Sequence, residues 1–201
     1  MLPRKSLKKS RNGTAKSKNL HGHTLDDHLL RLGCAFFQST SHTVNMAIEI
    51  EHKFLMANDN WRPLIYKSIN IQQGYLTSAP TSSIRVRISG ENAWLNIKSA
   101  TIGNQRLEFE YKIPLSDAKE MIAKLCKGPL VTKIRHFVKH DGHTWEIDEF
   151  SGENEGLTVA EIELSKPDED FSIPDWIGKE VTGDLKYYNN NLAHQPYKTW
   201  K

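Results

Sequence analysis

A chain of 201 residues suits one domain plus a tail and is too short for two full domains. Its formal charge of +3 is unevenly spread: of 27 basic and 24 acidic residues, positions 1 to 45 hold eight and two, which leaves 19 and 22 beyond them. The folding part is therefore acidic, which removes the case for nucleic-acid binding that a pI of 8.7 would suggest, and Cys34 and Cys126 are too few for a disulfide framework or a cysteine metal knuckle.

Residues 1 to 45 are rich in Lys, Ser, Asn and His without a helical or strand period, a composition that predicts a disordered basic tail. His21, His23 and His28 fall there with no further ligands at rigid spacing, so a solvated tail outweighs a metal cluster. The tail reads as an upstream extension of a protein whose natural start is Met46, in preference to a targeting segment. Around Cys34 to Phe37 the apolar run is far too short to span a bilayer. With no membrane segment and a cysteine usage that fits a reducing compartment, a soluble cytoplasmic protein is expected.

From Met46 a period of two dominates, giving strands at 46 to 54, 65 to 77, 83 to 90, 93 to 99, 105 to 113, 130 to 139, 143 to 149 and 157 to 164. Gly90-Glu91-Asn92, Gly103-Asn104 and Asp141-Gly142 supply the short turns of antiparallel hairpins. Between the fifth and sixth strands a helix is expected, capped by Ser116 and ended by Gly128-Pro129, with Ala118, Met121, Ile122 and Leu125 on its packing face. Short helices are expected at Pro174 to Val181 and Asp184 to His194, and 195 to 201 as a short C-terminal tail. The fold class is mainly β (α+β): a domain over 46 to 194 of eight antiparallel strands with a few short covering helices, a sandwich or open sheet if its second face is merely wet and a closed eight-stranded antiparallel tunnel barrel if the sheet closes.

One face of the strands carries the chemistry. Glu49, Glu51 and Lys53 oppose Ile48, Ile50 and Phe54; Arg85 and Arg87 oppose Ile84, Val86 and Ile88; Asn96 and Lys98 oppose Leu95 and Ile97. Arg106, Glu108, Glu110 and Lys112 oppose Leu107, Phe109, Tyr111 and Ile113. Lys133 and Arg135, Glu146 and Asp148, and Glu161 and Glu163 follow in the last three strands. Residues two apart on a strand stand about 7 Å from one another on one face, where like charges repel unless a counter-ion intervenes. Repeated pairs of this kind point to an enclosed site rather than a wetted sheet. Arg and Lys match phosphate oxygens, while paired carboxylates are hard ligands for Mg²⁺ or Mn²⁺. Both together imply a metal-polyphosphate ligand. With the charges inside, the outer face is apolar and three short helices are too few to cover it, so a homodimer contact is expected to cover the rest.

Glu49-Ile50-Glu51-His52-Lys53 resembles the E-x-E-x-K signature of the CYTH family, the triphosphate tunnel metalloenzymes. Gln73-Gly74-Tyr75-Leu76, Arg85-Val86-Arg87, Leu95-Asn96-Ile97-Lys98 and Glu108-Phe109-Glu110 are similar to its next motifs in order, as are Lys133-Ile134-Arg135, Glu146-Ile147-Asp148 and Glu161-Ile162-Glu163. The resemblance implies an eight-stranded barrel that hydrolyses a small-molecule triphosphate with Mg²⁺ or Mn²⁺. Lys53, Arg85, Arg87, Lys98, Lys133 and Arg135 would hold phosphates, joined by Lys186 from a closing C-terminal helix. Glu49, Glu51, Glu161 and Glu163 would bind metal, with Glu108, Glu110 and Asp148 supporting a second metal or the water. Glu49, Glu51, Lys53 and Lys133 would be catalytic. Inorganic tripolyphosphate is the first choice of substrate, ahead of thiamine triphosphate, nucleoside triphosphates and cyclisation of ATP. A binding module without turnover is the reading from another class.

Overall fold

The computed structural model describes residues 47–79, 81–100 and 105–200. The basic tail, its histidines and the Gly103-Asn104 turn lie outside the described residues.

β1 (Ala47–Met56), β2 (Ile65–Ala79), β3 (Ser82–Ser89), β4 (Asn92–Ser99) and β5 (Gln105–Ile113) precede α1 (Leu115–Lys124). After it come β6 (Lys127–His140), β7 (His143–Ser151), β8 (Thr158–Leu164), β9 (Ile177–Glu180) and α2 (Asn189–His194). The sheet runs β5-β4-β3-β2-β6-β7-β8-β1, and β5 pairs with β1 to close it into the expected eight-stranded antiparallel barrel. β1 shares one edge between two partners: Ala47 to Ile50 pair with β5, whereas Phe54 and Met56 pair with β9. Between those stretches the backbone of Lys53 is satisfied by Thr182 Oγ1 and by the amide of Val181.

Hairpin chemistry matches the sequence. Gly90 (φ 57°), Asp141 (φ 46°) and Gly142 (φ 82°) adopt left-handed backbone, the last two consecutively as a tight two-residue hairpin turn demands. Gly74 serves a different purpose: a Cβ there would stand 2.7 Å from Cys126 Sγ and 2.9 Å from Cys126 Cβ, so only glycine lets the segment before β6 lie against β2. The pairing of β2 with β6 shifts register across this glycine, between Gln73 and Tyr75, whereas the pairing with β3 runs on unbroken to Tyr75 opposite Arg85 and shifts only beyond it.

Several expected elements differ. Pro114 rather than Ser116 occupies the N-cap of α1, and Ser116 instead bonds Asp117. The helix stops at Lys124, and Gly128-Pro129 lies inside β6. Pro174 to Val181 is not helical: Pro174 opens a turn into β9, which adds to the edge of β1. Asp184 to His194 divides into a 3₁₀ turn (Leu185–Tyr187) and α2. Residues 195 to 200 are not a free tail, since Tyr197 and Trp200 pack on the cluster of Tyr75, Val131, Phe150, Leu157 and Leu192.

Covering of the outer face is shared within the chain. Trp61, Trp176 and Phe171 pack over Phe54, Val138, Trp145, Ile147 and Ile162 on β1, β6, β7 and β8. Helix α1 seals Val86 and Ala93 through Ala118. Loops bearing large aromatics therefore do part of the covering that the sequence left to a second copy; each buried aromatic of this kind contributes about 1.5 to 3 kcal/mol. No helix among the described residues is long and apolar enough to cross a membrane.

Candidate active site in the barrel interior

Cross-strand pairing decides which charges meet. Arg85 stands between Tyr75 and Asn96, Arg87 between Gln73 and Trp94, and Lys98 opposite Glu108. Lys53 pairs with Glu161, Glu51 with Glu163 and Glu49 with Arg106; Arg135 pairs with Asp148. The expected charged faces thus converge inside the closed sheet. They line a cavity of about 40 Å³ walled by Glu49, Glu51, Gln73, Arg85, Arg87, Lys98, Arg106, Lys133, Arg135 and Glu161. Toward α2 it opens into a chamber of about 320 Å³ lined by Lys53, Tyr75, Ser82, Ser83, Arg85, Lys98, Ser99, Arg106 and Asn189 to Asn191, with no carboxylate among its described lining residues.

Most interior charges neutralise one another. Lys53, 2% exposed, contacts Glu51 at 3.0 Å and also Glu161. Asp148, fully buried, holds Lys133 and accepts from Arg135 Nε and Nη2 at 2.7 Å each, while Arg135 also reaches Glu146 and Glu161. Lys98 bonds Glu49 at 2.7 Å and Glu108 at 2.8 Å. Asn96 donates to Glu108 (2.7 Å) and Glu110 (2.6 Å), and Arg87 reaches Glu110 at 2.5 Å.

The electrostatics follow from burial set against these partners. Burial alone would raise Glu49 and Glu161, yet Lys98 and Arg106 beside the first, and Lys53 and Arg135 beside the second, hold both well below the usual carboxylate range. Glu163 goes the other way: partial burial, then the carboxylates of Glu49 and Glu146, raise it. Burial also dominates at Lys133, assisted by Arg135 and only partly offset by Asp148, and brings the amine down to about 8.

One wall is different. Arg85 Nε and Nη2, Arg87 Nε and Gln73 Nε2 are buried without any hydrogen-bond acceptor. An unpaired buried donor costs about 1 to 3 kcal/mol, and four of them lie on the paired strands β2 and β3.

A model of the CYTH domain matches residues 47–197. The chain belongs to the CYTH domain family. Within it, the chain is 45% identical over 156 residues to an inorganic triphosphatase of Acetivibrio thermocellus, covering 78% of this chain and 99% of that protein. It is 37% identical over 150 residues to an inorganic triphosphatase of Nitrosomonas europaea, covering 72% and 96%. The crystal structure of an inorganic triphosphatase superposes with a TM-score of 0.54 at 31% identity, covering 74% of this chain and 95% of that one.

Of the site residues expected from the CYTH motifs, the interior brings together Glu49, Glu51, Lys53, Arg85, Arg87, Lys98, Glu108, Glu110, Lys133, Arg135, Asp148 and Glu161, with Glu163 opposite Glu51. Lys186 is not among them. Its side chain is about half exposed, pairs with Asp184 at 3.6 Å and lies over the rings of Tyr187 and Trp200, because the 3₁₀ turn before α2 points it away from the chamber.

Arg106 was outside the expected set. Its Nε and Nη2 grip Glu49 at 2.7 and 3.1 Å, and Nη2 also reaches Glu51 at 2.7 Å. A period of two places Arg106 on the same face as Glu108 and Glu110, which is the signal that could have found it. Gln73 carries no charge and gave no such signal.

CYTH triphosphatases are metal-dependent. The donor chemistry here suits a hard cation, since Glu49, Glu51 and Glu163 supply oxygens on adjacent strands. Among the described residues no group of three or more acidic, His or Cys side chains is already gathered to hold one. Glu49 and Glu51 are turned onto Arg106, Lys98 and Lys53, so a cation would exchange with these internal partners.

Proposed function

We propose that this protein is a divalent-metal-dependent triphosphatase that hydrolyses inorganic tripolyphosphate to pyrophosphate and phosphate inside the barrel. The observation that carries the reading is the wall of buried Arg85, Arg87 and Gln73 donors lacking an acceptor, in a cavity whose remaining walls are lined with carboxylates and their partner cations. Several adjacent orphan donors call for an oxygen-rich anion, and guanidinium forks match phosphate oxygens. The names of the relatives from Acetivibrio thermocellus and Nitrosomonas europaea support the same substrate.

In this reading Arg85, Arg87 and Lys98 hold the phosphates from β3 and β4, and Lys53, Lys133 and Arg135 do so from the opposite side. Arg106 joins them once released from Glu49 and Glu51. Water attacks the terminal phosphorus in line with the leaving oxygen, and the fixed cations stabilise the charge that develops there. Lys133 is the group suited to accept the proton of that water, because an amine near pH 8 is partly neutral at working pH whereas the arginines are not. Asp148 acts as the anchor of Lys133 and Arg135 in place of ligating metal, since both of its oxygens are engaged. Glu49, Glu51 and Glu163 would hold Mg²⁺ or Mn²⁺, with Glu161, Glu108 and Glu110 adjacent. When bound, such a cation supplies Lewis-acid polarisation of phosphate oxygens.

An inorganic substrate is favoured over an organic one by the fate of Trp94. Its ring covers the Arg87 guanidinium at 5.3 Å and so serves the phosphate wall rather than a nucleobase or thiazole. The test is phosphate release from tripolyphosphate, ATP and thiamine triphosphate with Mg²⁺ and with Mn²⁺. Tripolyphosphate should be turned over fastest and yield pyrophosphate. Faster turnover of either organic triphosphate, or full activity in the presence of a chelator, would overturn the assignment.

A further inference from the structure

Gln73 is 1% exposed in β2, paired with Arg87 across one edge and with Val131 across the other. Its Oε1 accepts from Arg85 Nη1 at 3.3 Å, which fixes the orientation of the amide: a flipped group would turn its NH₂ against a guanidinium. Nε2 is thereby left buried without an acceptor, in a residue that lines the 40 Å³ cavity. Arg85 Nε and Nη2 and Arg87 Nε share that lack. A cavity of this size holds on the order of three waters, each needing roughly 10 to 15 Å³. One unmatched acceptor, Asn96 Oδ1, stands on the strand paired with Arg85, but four unmatched donors on two guanidiniums and one amide outnumber it and suit an acceptor that brings several oxygens at once.

We propose that Gln73 is a substrate-contacting residue whose Nε2 donates to an oxygen of the same phosphate group that Arg85 and Arg87 hold. The inference rests on the triphosphate reading above and adds to it a neutral donor, which fixes the seat of one phosphate without adding charge to a wall that already carries two guanidiniums. A purely structural role, in which Gln73 only orients Arg85 through Oε1, makes the opposite prediction for one variant. Gln73→Glu keeps the shape and strengthens the contact to Arg85, yet it removes the Nε2 donor and places a carboxylate against the anion.

The experiment is calorimetric titration of tripolyphosphate into the full chain with a chelator present, so that no metal enters the measurement, alongside thermal unfolding of each variant. Gln73→Leu should weaken binding about tenfold to a hundredfold, the range for a hydrogen bond to a charged group. Gln73→Glu should weaken it further while its unfolding temperature stays level or rises. Wild-type affinity in Gln73→Glu would overturn the proposal, and should Gln73→Leu not fold, that isosteric variant decides alone. Arg85→Ala separates this proposal from its foundation. If Arg85→Ala abolishes binding and both Gln73 variants bind normally, only the role of Gln73 falls. If the wild-type chain does not bind tripolyphosphate, or Arg85→Ala binds as well as wild type, the triphosphate reading falls with it.

Discussion

The two walls of the tunnel carry similar charges and treat them in opposite ways. On β6, β7 and β8 every cation has its acid: Asp148 grips Lys133 and Arg135, and Arg135 continues to Glu146 and Glu161. On β2 and β3, Arg87 has Glu110 at 2.5 Å and Arg85 has Glu108 only at 3.9 Å, and Arg85, Arg87 and Gln73 still keep four donors without a hydrogen-bond acceptor. The first wall gains rigidity by satisfying itself, and its groups must change partners before they touch a ligand. The second bears an unmet cost in the free protein and is preorganised for the ligand that removes it. One wall should accordingly answer to mutation in stability and the other in function.

Asp148→Ala offers the sharpest test of that division. It leaves Lys133 and Arg135 buried without their main partner, and should lower unfolding free energy by about 3 to 5 kcal/mol in urea titrations. Arg85→Ala should do the reverse: stability nearly unchanged by the same measurement, and kcat/KM for tripolyphosphate down by about 10²- to 10³-fold in phosphate-release assays. If Arg85→Ala proves the more destabilising of the two, the contrast between the walls is wrong.

Lys133 lies where the two behaviours meet, paired yet proposed to act. Its amine near 8 predicts that activity climbs as pH rises through about 8, because the neutral amine is the form that takes a proton. Lys133→Arg should cut kcat on the order of 10²-fold and remove that rise from the pH profile. A smaller effect is expected from Glu161, whose folded-state affinity for protons is far below its ordinary value. The unfolded chain takes up that proton first, so Glu161 contributes stability above the ordinary carboxylate pKa and loses it as pH falls below about 4.5 toward the depressed value. In Glu161→Gln the acid-side fall in unfolding temperature should be shallower than in wild type. Lys186→Ala bounds the series from below, with phosphate release unchanged, since the side chain lies over Tyr187 and Trp200 away from the chamber.

Much of the site was legible because a strand repeats every two residues and a closed sheet has one inside. Glu49 and Glu51, Arg85 and Arg87, and Lys133 and Arg135 were identifiable from that period alone. Arg106 was equally visible on the face of Glu108 and Glu110, yet the motif that drew attention to β5 begins two residues later. Lys186 failed for the converse reason: it follows no strand period, and its direction depends on a 3₁₀ turn that is capped by Asp184 and whose Tyr187 packs on the core. Pro174 to Val181 was misread as helix because the pairing partner of β9 is more than a hundred residues earlier in β1.

By itself, then, the amino-acid order determined the eight barrel strands and their charged faces, which follow from local alternation and turn chemistry, whereas closure came with the pairing of β5 and β1. Which acid meets which base was decided only by the folded barrel, because register joins residues such as Glu49 and Arg106 or Lys53 and Glu161 that are far apart in the chain. The same is true of the unmatched donors of Gln73, Arg85 and Arg87: a hydrogen bond that is missing can be seen only once every neighbour is in place.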